Sequence, residues 1–390
     1  MADRQTAKPA DRQTARPADR QTGGSVGSVG SVGSVGSVGS AKPADAALHR
    51  FFHEAMATRF EIVIAGGRPG YARQAAQAVF EEVDRLEGNL SRFLETSDVS
   101  RINALAAGEP VRVGIPAFEC LRLARQMHAE TGGVFDAAIG PLVRCWRTDA
   151  GKPRTPAAEE IAKARALIGM NRVELDEKNF TVRLPVAGMC IDLGGIGKGY
   201  ALDKGAEILR EWDIEAALLS TGGSSILALG APPGKEGWPV SVGAGADQPD
   251  QPDRPDQPDR PDRSDQSDQS DRSDKSDGSD RSEAPEASRF REIILLKNRG
   301  LGASGTGVKG KHILDPRTGY PAQGPVRAWA CAPSAAVADA LSTAFMVMKP
   351  EETEAWCRKH TDAGALLLCE TPMGRKLRRY GLFPAAAKPE

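Results

Sequence analysis

Three groups of residues have types and spacings that could do chemistry. The first lies in residues 191–212, where Gly194, Gly195, Gly197 and Gly199 surround Lys198. Glycines let a backbone come close to a ligand, while a lysine and a helix N-terminus favour an anion. A phosphate or pyrophosphate is the natural guest. The spacing matches neither familiar phosphate loop. Asp192 stands where a Walker loop needs its first glycine, Gly199 replaces the hydroxyl residue, and Gly195-x-Gly197-x-Gly199 is not Gly-x-Gly-x-x-Gly. On spacing alone, a tight strand-to-helix turn explains the glycines equally well.

The second group is Asp339 and Thr343, in Ala338-Asp-Ala-Leu-Ser-Thr343. Four residues apart on a helix, they share a face. An exposed helical turn with a back-bonded hydroxyl is one reading. The run around them is apolar, however, so an inward acid and hydroxyl need a partner, and a hard cation suits two oxygen ligands. The third group is Ala303-Ser-Gly-Thr-Gly307 followed by His312-Ile-Leu-Asp-Pro-Arg-Thr-Gly319. The latter reads as a strand end and a turn opened by Asp315-Pro316 and closed by Gly319. His312 taken alone reads as a structural histidine.

The elements that must position these groups follow from periodicity. A short strand over 189–193 leads into the glycines, and the helix behind them buries Leu202, Ala206 and Leu209. Helices are predicted over 73–86, with Val79, Phe80, Val83 and Leu86 inward, and over 117–131, 156–169, 335–348 and 353–360. In the helix over 335–348, Val337, Leu341, Ala344 and Phe345 point inward. The polar stretch 91–103 leads into a short helix. Strands are predicted over 60–64, 216–220, 225–229, 239–242, 292–296 and 365–369, and a hairpin turns at 176–179 between 173–175 and 180–184. Strand runs interrupted by separate helices, without regular βα alternation, give an α+β class.

Much of the 390-residue chain is low in complexity. Residues 1–45 hold an Ala-Asp-Arg-Gln-Thr repeat and a Gly-Ser-Val repeat, and residues 247–288 are built of Asp, Gln, Pro, Arg and Ser. Neither has side chains for a core, so both are expected to be disordered, and the remainder of 46–386 is expected to form one large domain. A net charge of −1 gives no bulk attraction to nucleic acid or membrane. No signal peptide, lipobox cysteine or membrane-spanning run is visible, which by itself reads as cytoplasmic. The six cysteines are scattered, with no Cys-x-x-Cys pair, and read as buried thiols.

Taken together, Met56-Ala-Thr-Arg-Phe60, Thr131-Gly-Gly-Val-Phe-Asp136 with Gly140-Pro-Leu142, Asp192-Leu-Gly-Gly-Ile-Gly-Lys-Gly-Tyr-Ala201, Thr221-Gly-Gly223, His312-Ile-Leu-Asp-Pro-Arg-Thr-Gly319 and Asp339-Ala-Leu-Ser-Thr343 resemble the ordered motifs of the FAD:protein FMN transferases, the ApbE family. The likeness runs from about Phe52 to Leu382 without the Asp/Pro/Ser insert. It implies an ApbE-type α+β fold with mixed or antiparallel sheets. It also implies a Mg²⁺-dependent transfer of FMN from FAD to a Ser or Thr hydroxyl of an acceptor flavoprotein, with release of AMP. Asp339, Thr343 and a backbone oxygen at Gly195 match the metal ligands, and His312 matches a base towards the acceptor hydroxyl. Met56, Ala57, Thr58, Gly194, Gly195, Lys198, Asp203, Thr221, Gly222 and Gly223 match residues around FAD.

The chain departs from the family's usual residues at Ala57, commonly Gly, and Thr221, often Asn. Family members are commonly exported, so the resemblance points to the periplasm or a membrane-attached state. Acceptors of the family resemble Asp-x-x-Ser/Thr-Gly-Ala-Ser/Thr. The nearest match here, Gly302-Ala-Ser304, has Leu301 in place of the hydroxyl, so the acceptor is another protein. The chemistry fits: phosphoryl-type transfer rests on positioning and charge neutralisation, and a base on the acceptor hydroxyl is worth ~10²–10⁴ in rate. A histidine, with an ordinary pKa near ~6.5, suits that task. Two alternatives stand beside this reading: an FAD pyrophosphatase giving free FMN and AMP, and a non-catalytic flavin-binding protein, which needs neither His312 nor the Asp339/Thr343 pair.

Overall fold

Alternating apolar side chains divide the strands between two buried faces. Phe60, Ile62 and Ile64 enter the main core, whereas Val63 enters a second cluster; Ala328, Ala330 and Ala332 likewise alternate with Trp329 and Cys331. This period of two is what a sheet covered on both sides requires. The structure is a computed structural model describing residues 47–105, 107–148, 151–243, 290–306 and 312–387, all within one unit, Gly36–Glu390. The segments read as disordered, 1–45 and 247–288, lie outside the described residues.

The chain opens with a hairpin of β1 (Leu48–Ala55) and β2 (Thr58–Ala65), then α1 (Pro69–Leu90), α2 (Asp98–Ala104), β3 (Pro110–Arg112) and α3 (Ile115–Glu130). Next come α4 (Gly140–Cys145), α5 (Ala158–Arg165), β4 (Glu174–Asp176), β5 (Thr181–Arg183) and α6 (Gly197–Glu211). Four strands follow, β6 (Ala217–Thr221), β7 (Ser225–Leu229), β8 (Trp238–Gly243) and β9 (Arg291–Leu296). The last part holds β10 (Arg299–Gly305), β11 (Arg327–Ala332), α7 (Ala335–Val347), α8 (Pro350–Lys359), β12 (Gly364–Thr371) and β13 (Gly374–Gly381).

Eight strands form the main sheet in the order β1-β2-β6-β7-β10-β11-β12-β13, every pair antiparallel. Helices α1, α6 and α7 supply the core on one face, and the β8–β9 hairpin covers part of the other. A small sheet, β3-β5-β4, completes the α+β fold. The expected inward residues of α1, Val79, Phe80, Val83 and Leu86, are all buried, as are Leu202, Ala206 and Leu209 of α6.

Close approach fixes α7. Nearly every residue along it is buried, and its neighbours contribute glycines where a side chain has no room. A Cβ on Gly302 would lie 2.1 Å from the Ala338 carbonyl oxygen, and one on Gly199 would lie 2.3 Å from that of Ala335. Strand β10 and helix α6 therefore press backbone to backbone against α7.

The strand expected over 189–193 does not form. Cys190 makes a single parallel bridge with Ile139, and Ile191 is held through both backbone groups by the Asn103 amide, at 2.7 and 2.9 Å. A side chain replaces the neighbouring strand there. Strands β1, β3, β10, β11 and β13 were not expected from the pattern.

Candidate active site

The glycine loop begins with an Asx turn. Asp192 Oδ1 accepts the Gly194 N–H at 2.9 Å, while Oδ2 meets the Arg92 guanidinium at 3.1 Å. Helix α6 starts at once, with Gly197 N donating to Leu193 O at 2.8 Å. Lys198 folds back over the loop, its Nζ donating to Gly194 O at 3.3 Å.

Helix α7 is bolted to α6 at its first turn. Ser334 caps α7, and Asp203 of α6 accepts from Ser334 Oγ at 2.7 Å and from the Ala335 and Ala336 N–H groups at 2.8 and 2.9 Å. Burial pushes the Asp203 carboxyl above its ordinary range, and these three hydrogen bonds oppose that shift. Asp203, expected beside FAD, thus has its carboxylate engaged with the α7 N-terminus.

One turn further, Asp339 is buried and its Oδ2 accepts the Gly199 N–H at 3.2 Å. Thr343 follows on the same face, and a Cβ on Gly195 would lie 3.3 Å from Thr343 Oγ1 and 3.3 Å from Phe135 Cε2. The fold therefore sets the glycine loop against the Asp339/Thr343 pair. Ser304 of β10 joins them, its Oγ 2.8 Å from Ser342 Oγ and 3.4 Å from Thr343 Oγ1. Cys120 lies behind; burial and then the Asp339 carboxylate raise its thiol pKa, which keeps it an inert neutral group.

A family profile described as "ApbE family" matches residues 56–261 and 281–367, more than half of the chain. The chain belongs to the ApbE family. Among relatives, one "FAD:protein FMN transferase" of Klebsiella pneumoniae is 36% identical over 38% of this chain and 47% of its own length. Another of Treponema pallidum is 28% identical over 75% of this chain and 76% of its own. Among solved structures, the ApbE protein of Thermotoga maritima is 28% identical with a TM-score of 0.64, covering 86% of this chain and 97% of that one. The flavin transferase ApbE of Vibrio cholerae, at 23% identity and a TM-score of 0.68 over 86% and 97%, shares the fold.

The remaining ApbE motifs fall into two groups. Met56 and Ala57 form the two-residue turn between β1 and β2 with φ of 50° and 55°, both left-handed. Beside it lies the β6–β7 turn, where Gly222 and Gly223 have φ of 47° and 78° and a Cβ on Gly222 would strike Thr58 Oγ1 at 2.3 Å. Thr221 is fully buried, its hydroxyl within reach of Ser224 Oγ and Ser225 O at 3.4 and 3.5 Å. The side chain that departs from the family thus turns into its own hairpin. Ala303 N donates to Ser224 O at 2.7 Å, which ties this turn to β10 and so to Ser304.

His312 is exposed, just ahead of a turn in which Asp315 N donates to Tyr320 O at 2.8 Å. The turn is pinned by the Arg317 bridge to Asp315 at 3.0 Å and by Trp146 Nε1 donating to Gly319 O at 2.9 Å. Phe135, which touches Gly195, is fixed from two sides: its N–H donates to Thr131 Oγ1 at 3.0 Å and its carbonyl accepts from His128 Nδ1 at 2.9 Å. Sequence reasoning quoted Ser304 and Phe135 only inside longer motifs, with no role of their own, and missed Asn103 and Arg92 as parts of the site. Their types are common, and only the tertiary contacts distinguish them.

The Asp339 cluster holds oxygen donors that could take a hard cation. Asp339 is 3% exposed, and among the described residues one N–H, that of Gly199, donates to its carboxylate. A buried carboxylate with one neutral donor is short of partners. A hydroxyl stands beside it, and the glycine-loop backbone lies opposite. Among the described residues no group of three or more His, Cys, Asp or Glu could hold a metal. A cation held here would rest on a single carboxylate, an arrangement Mg²⁺ tolerates when substrate phosphate supplies other ligands. Among the described residues no helix is long and apolar enough to cross a membrane.

Proposed function

We propose that this ApbE-family chain is an FAD:protein FMN transferase that moves FMN from FAD to a Ser or Thr hydroxyl of an acceptor flavoprotein. The observation that carries the reading is the juxtaposition of Gly195 with Thr343 beside buried Asp339. Asp339, Thr343 and the Gly195 carbonyl oxygen would hold Mg²⁺, which when bound neutralises charge on the FAD pyrophosphate. Lys198 adds a second cation at the start of α6 once its Nζ swings off Gly194 O. The paired turns at Met56–Thr58 and Thr221–Gly223 line the flavin side.

The acceptor hydroxyl oxygen attacks the FMN-side phosphorus. The bond from that phosphorus to the bridging oxygen breaks, and AMP leaves with the bridging oxygen. The hydroxyl proton passes to an imidazole nitrogen of His312, whose exposed position suits contact with an incoming protein chain. Met56 and Ala57 would wall the flavin side through the tight left-handed turn they form.

The test is to incubate the protein with FAD and Mg²⁺, with and without a protein carrying the acceptor motif. A transferase gives the acceptor a mass gain of one FMN minus water and releases AMP. Free FMN and AMP formed equally fast without acceptor would instead identify a pyrophosphatase, and no turnover in either tube would identify a flavin binder.

A further inference from the structure

The Asp339 cluster contains three hydroxyls that no ApbE motif role accounts for as a set. Ser342 Oγ lies 2.9 Å from the Asp339 carbonyl oxygen, and Ser304 Oγ lies 2.8 Å from Ser342 Oγ. Thr343 Oγ1 is 3.4 Å from both Ser304 Oγ and the Asp339 carbonyl oxygen. A carbonyl only accepts, and each hydroxyl has one proton. Ser342 must therefore donate to the Asp339 carbonyl to make its short bond, which forces Ser304 to donate to Ser342. The Thr343 proton is then left to point at Ser304 or at the Asp339 carbonyl, both on the protein side. The opposite polarity keeps two contacts of 3.4 Å and forfeits the bond of 2.9 Å. Distance decides in favour of the first.

We propose that Ser304 and Ser342 are positioning residues that lock the Thr343 hydroxyl as an acceptor facing the glycine loop. With the Ser304 proton committed to Ser342 and the Thr343 proton turned to Ser304 or to the Asp339 carbonyl, neither serine donates to Thr343, so among the described residues both Thr343 lone pairs are clear of these protons. They are available to a cation between α7 and Gly195. Ser342 is fully buried and the Ser304 strand is pressed onto α7 at Gly302, so neither hydroxyl can drift away. Without Ser304, the Thr343 hydroxyl rotor has a weaker anchor, and its proton is free to turn towards the metal position.

This inference rests on the metal reading of Asp339 and Thr343, and its test separates the two. Mn²⁺ binding to the full chain is measured in the presence of ADP, as a pyrophosphate probe, from the EPR signal of free Mn²⁺. Ser304→Ala should weaken Mn²⁺ binding about three- to tenfold, the size of one ordinary hydrogen bond. Ser304→Thr, which restores a hydroxyl, should return to the wild-type affinity. The double variant Ser304→Ala/Thr343→Ala should bind no more weakly than Thr343→Ala alone, because the serine acts through the threonine. Should Ser304→Ala melt far below the wild type, Ser304→Cys keeps the volume with a poor donor and carries the same expectation. Wild-type affinity in these serine variants while Asp339→Asn weakens binding would overturn the relay alone, as would additive losses in the double variant. Unchanged binding in Asp339→Asn would overturn the metal reading and the relay with it.

Discussion

Ala57 occupies a backbone region that side chains avoid, with φ of 55° in the turn beside the β6–β7 glycines. A left-handed non-glycine residue costs about 1–2 kcal/mol, so such strain persists where the surroundings impose it. Ala57→Gly should raise the unfolding free energy by about 1 kcal/mol after glycine's greater unfolded entropy is counted. A thermal melt checks this, and a lower midpoint would mean that the Ala57 methyl makes a contact worth more than its strain. The catalytic role proposed for His312 makes a different expectation. His312→Ala should hold FAD binding within a few-fold while cutting transfer by about two to four orders of magnitude. Loss of FAD binding or of the fold would return His312 to a structural role. At this scale the sequence was legible where spacing alone makes neighbours: Asp339 and Thr343 are one helical turn apart. For Asp203 no sequence signal marks its partner, the α7 N-terminus, because a motif position does not say which groups an aspartate meets. Ser304 was illegible for the same reason, since its partners lie 38 and 39 residues away.

Among the elements, those with strong periodicity were read closely: α1, α6, α7, β2 and β7 all fall where apolar spacing puts them. Strand β10 was not, because Gly300, Gly302 and Gly305 weaken any strand pattern. Those same glycines are what the fold uses to bring α7 within reach of the glycine loop. Strand β13, Gly374–Gly381, escaped notice for the opposite reason: it is an edge strand carrying Arg375, Lys376, Arg378 and Arg379, the charges that protect an open edge. The backbone contact at Gly302 gives a sharp prediction. A Cβ there would sit 2.1 Å from the Ala338 carbonyl oxygen, one residue before Asp339, and backbone cannot rotate away as a side chain can. Gly302→Ala should destabilise the protein by about 1–3 kcal/mol through overpacking and should lower transfer by displacing Asp339. Paired melting and activity assays check it; a wild-type midpoint with full activity would show that α7 shifts without consequence.

For the molecule as a whole, the ApbE profile pauses between residues 261 and 281, inside the Asp/Pro/Ser-rich stretch. The flanking strands explain why an insertion is tolerated there. Gly243 at the end of β8 pairs directly with Arg291 at the start of β9, so the two ends already meet as a hairpin. Loop closure costs only about 0.6 kcal/mol per doubling of length, so replacing 247–288 with a short Gly/Ser linker should leave stability and transfer near the wild-type values. Melting and turnover of that variant, and of a deletion of residues 1–45, check the expectation; a large loss in either would assign the segment a structural or catalytic part. Helices α6 and α7 and strand β10 converge around Asp339, and the proposed function makes that convergence one cation-assisted transfer site. The measurement that tests it most directly is a Mg²⁺ titration of FMN transfer, read as acceptor mass, on wild type, Asp339→Asn and Thr343→Val. Asp339→Asn should raise the Mg²⁺ needed for half-maximal transfer at least about tenfold, Thr343→Val less, with melting temperatures little changed because among the described residues the carboxylate has one neutral donor. An Asp339→Asn protein with an unchanged Mg²⁺ requirement would contradict it.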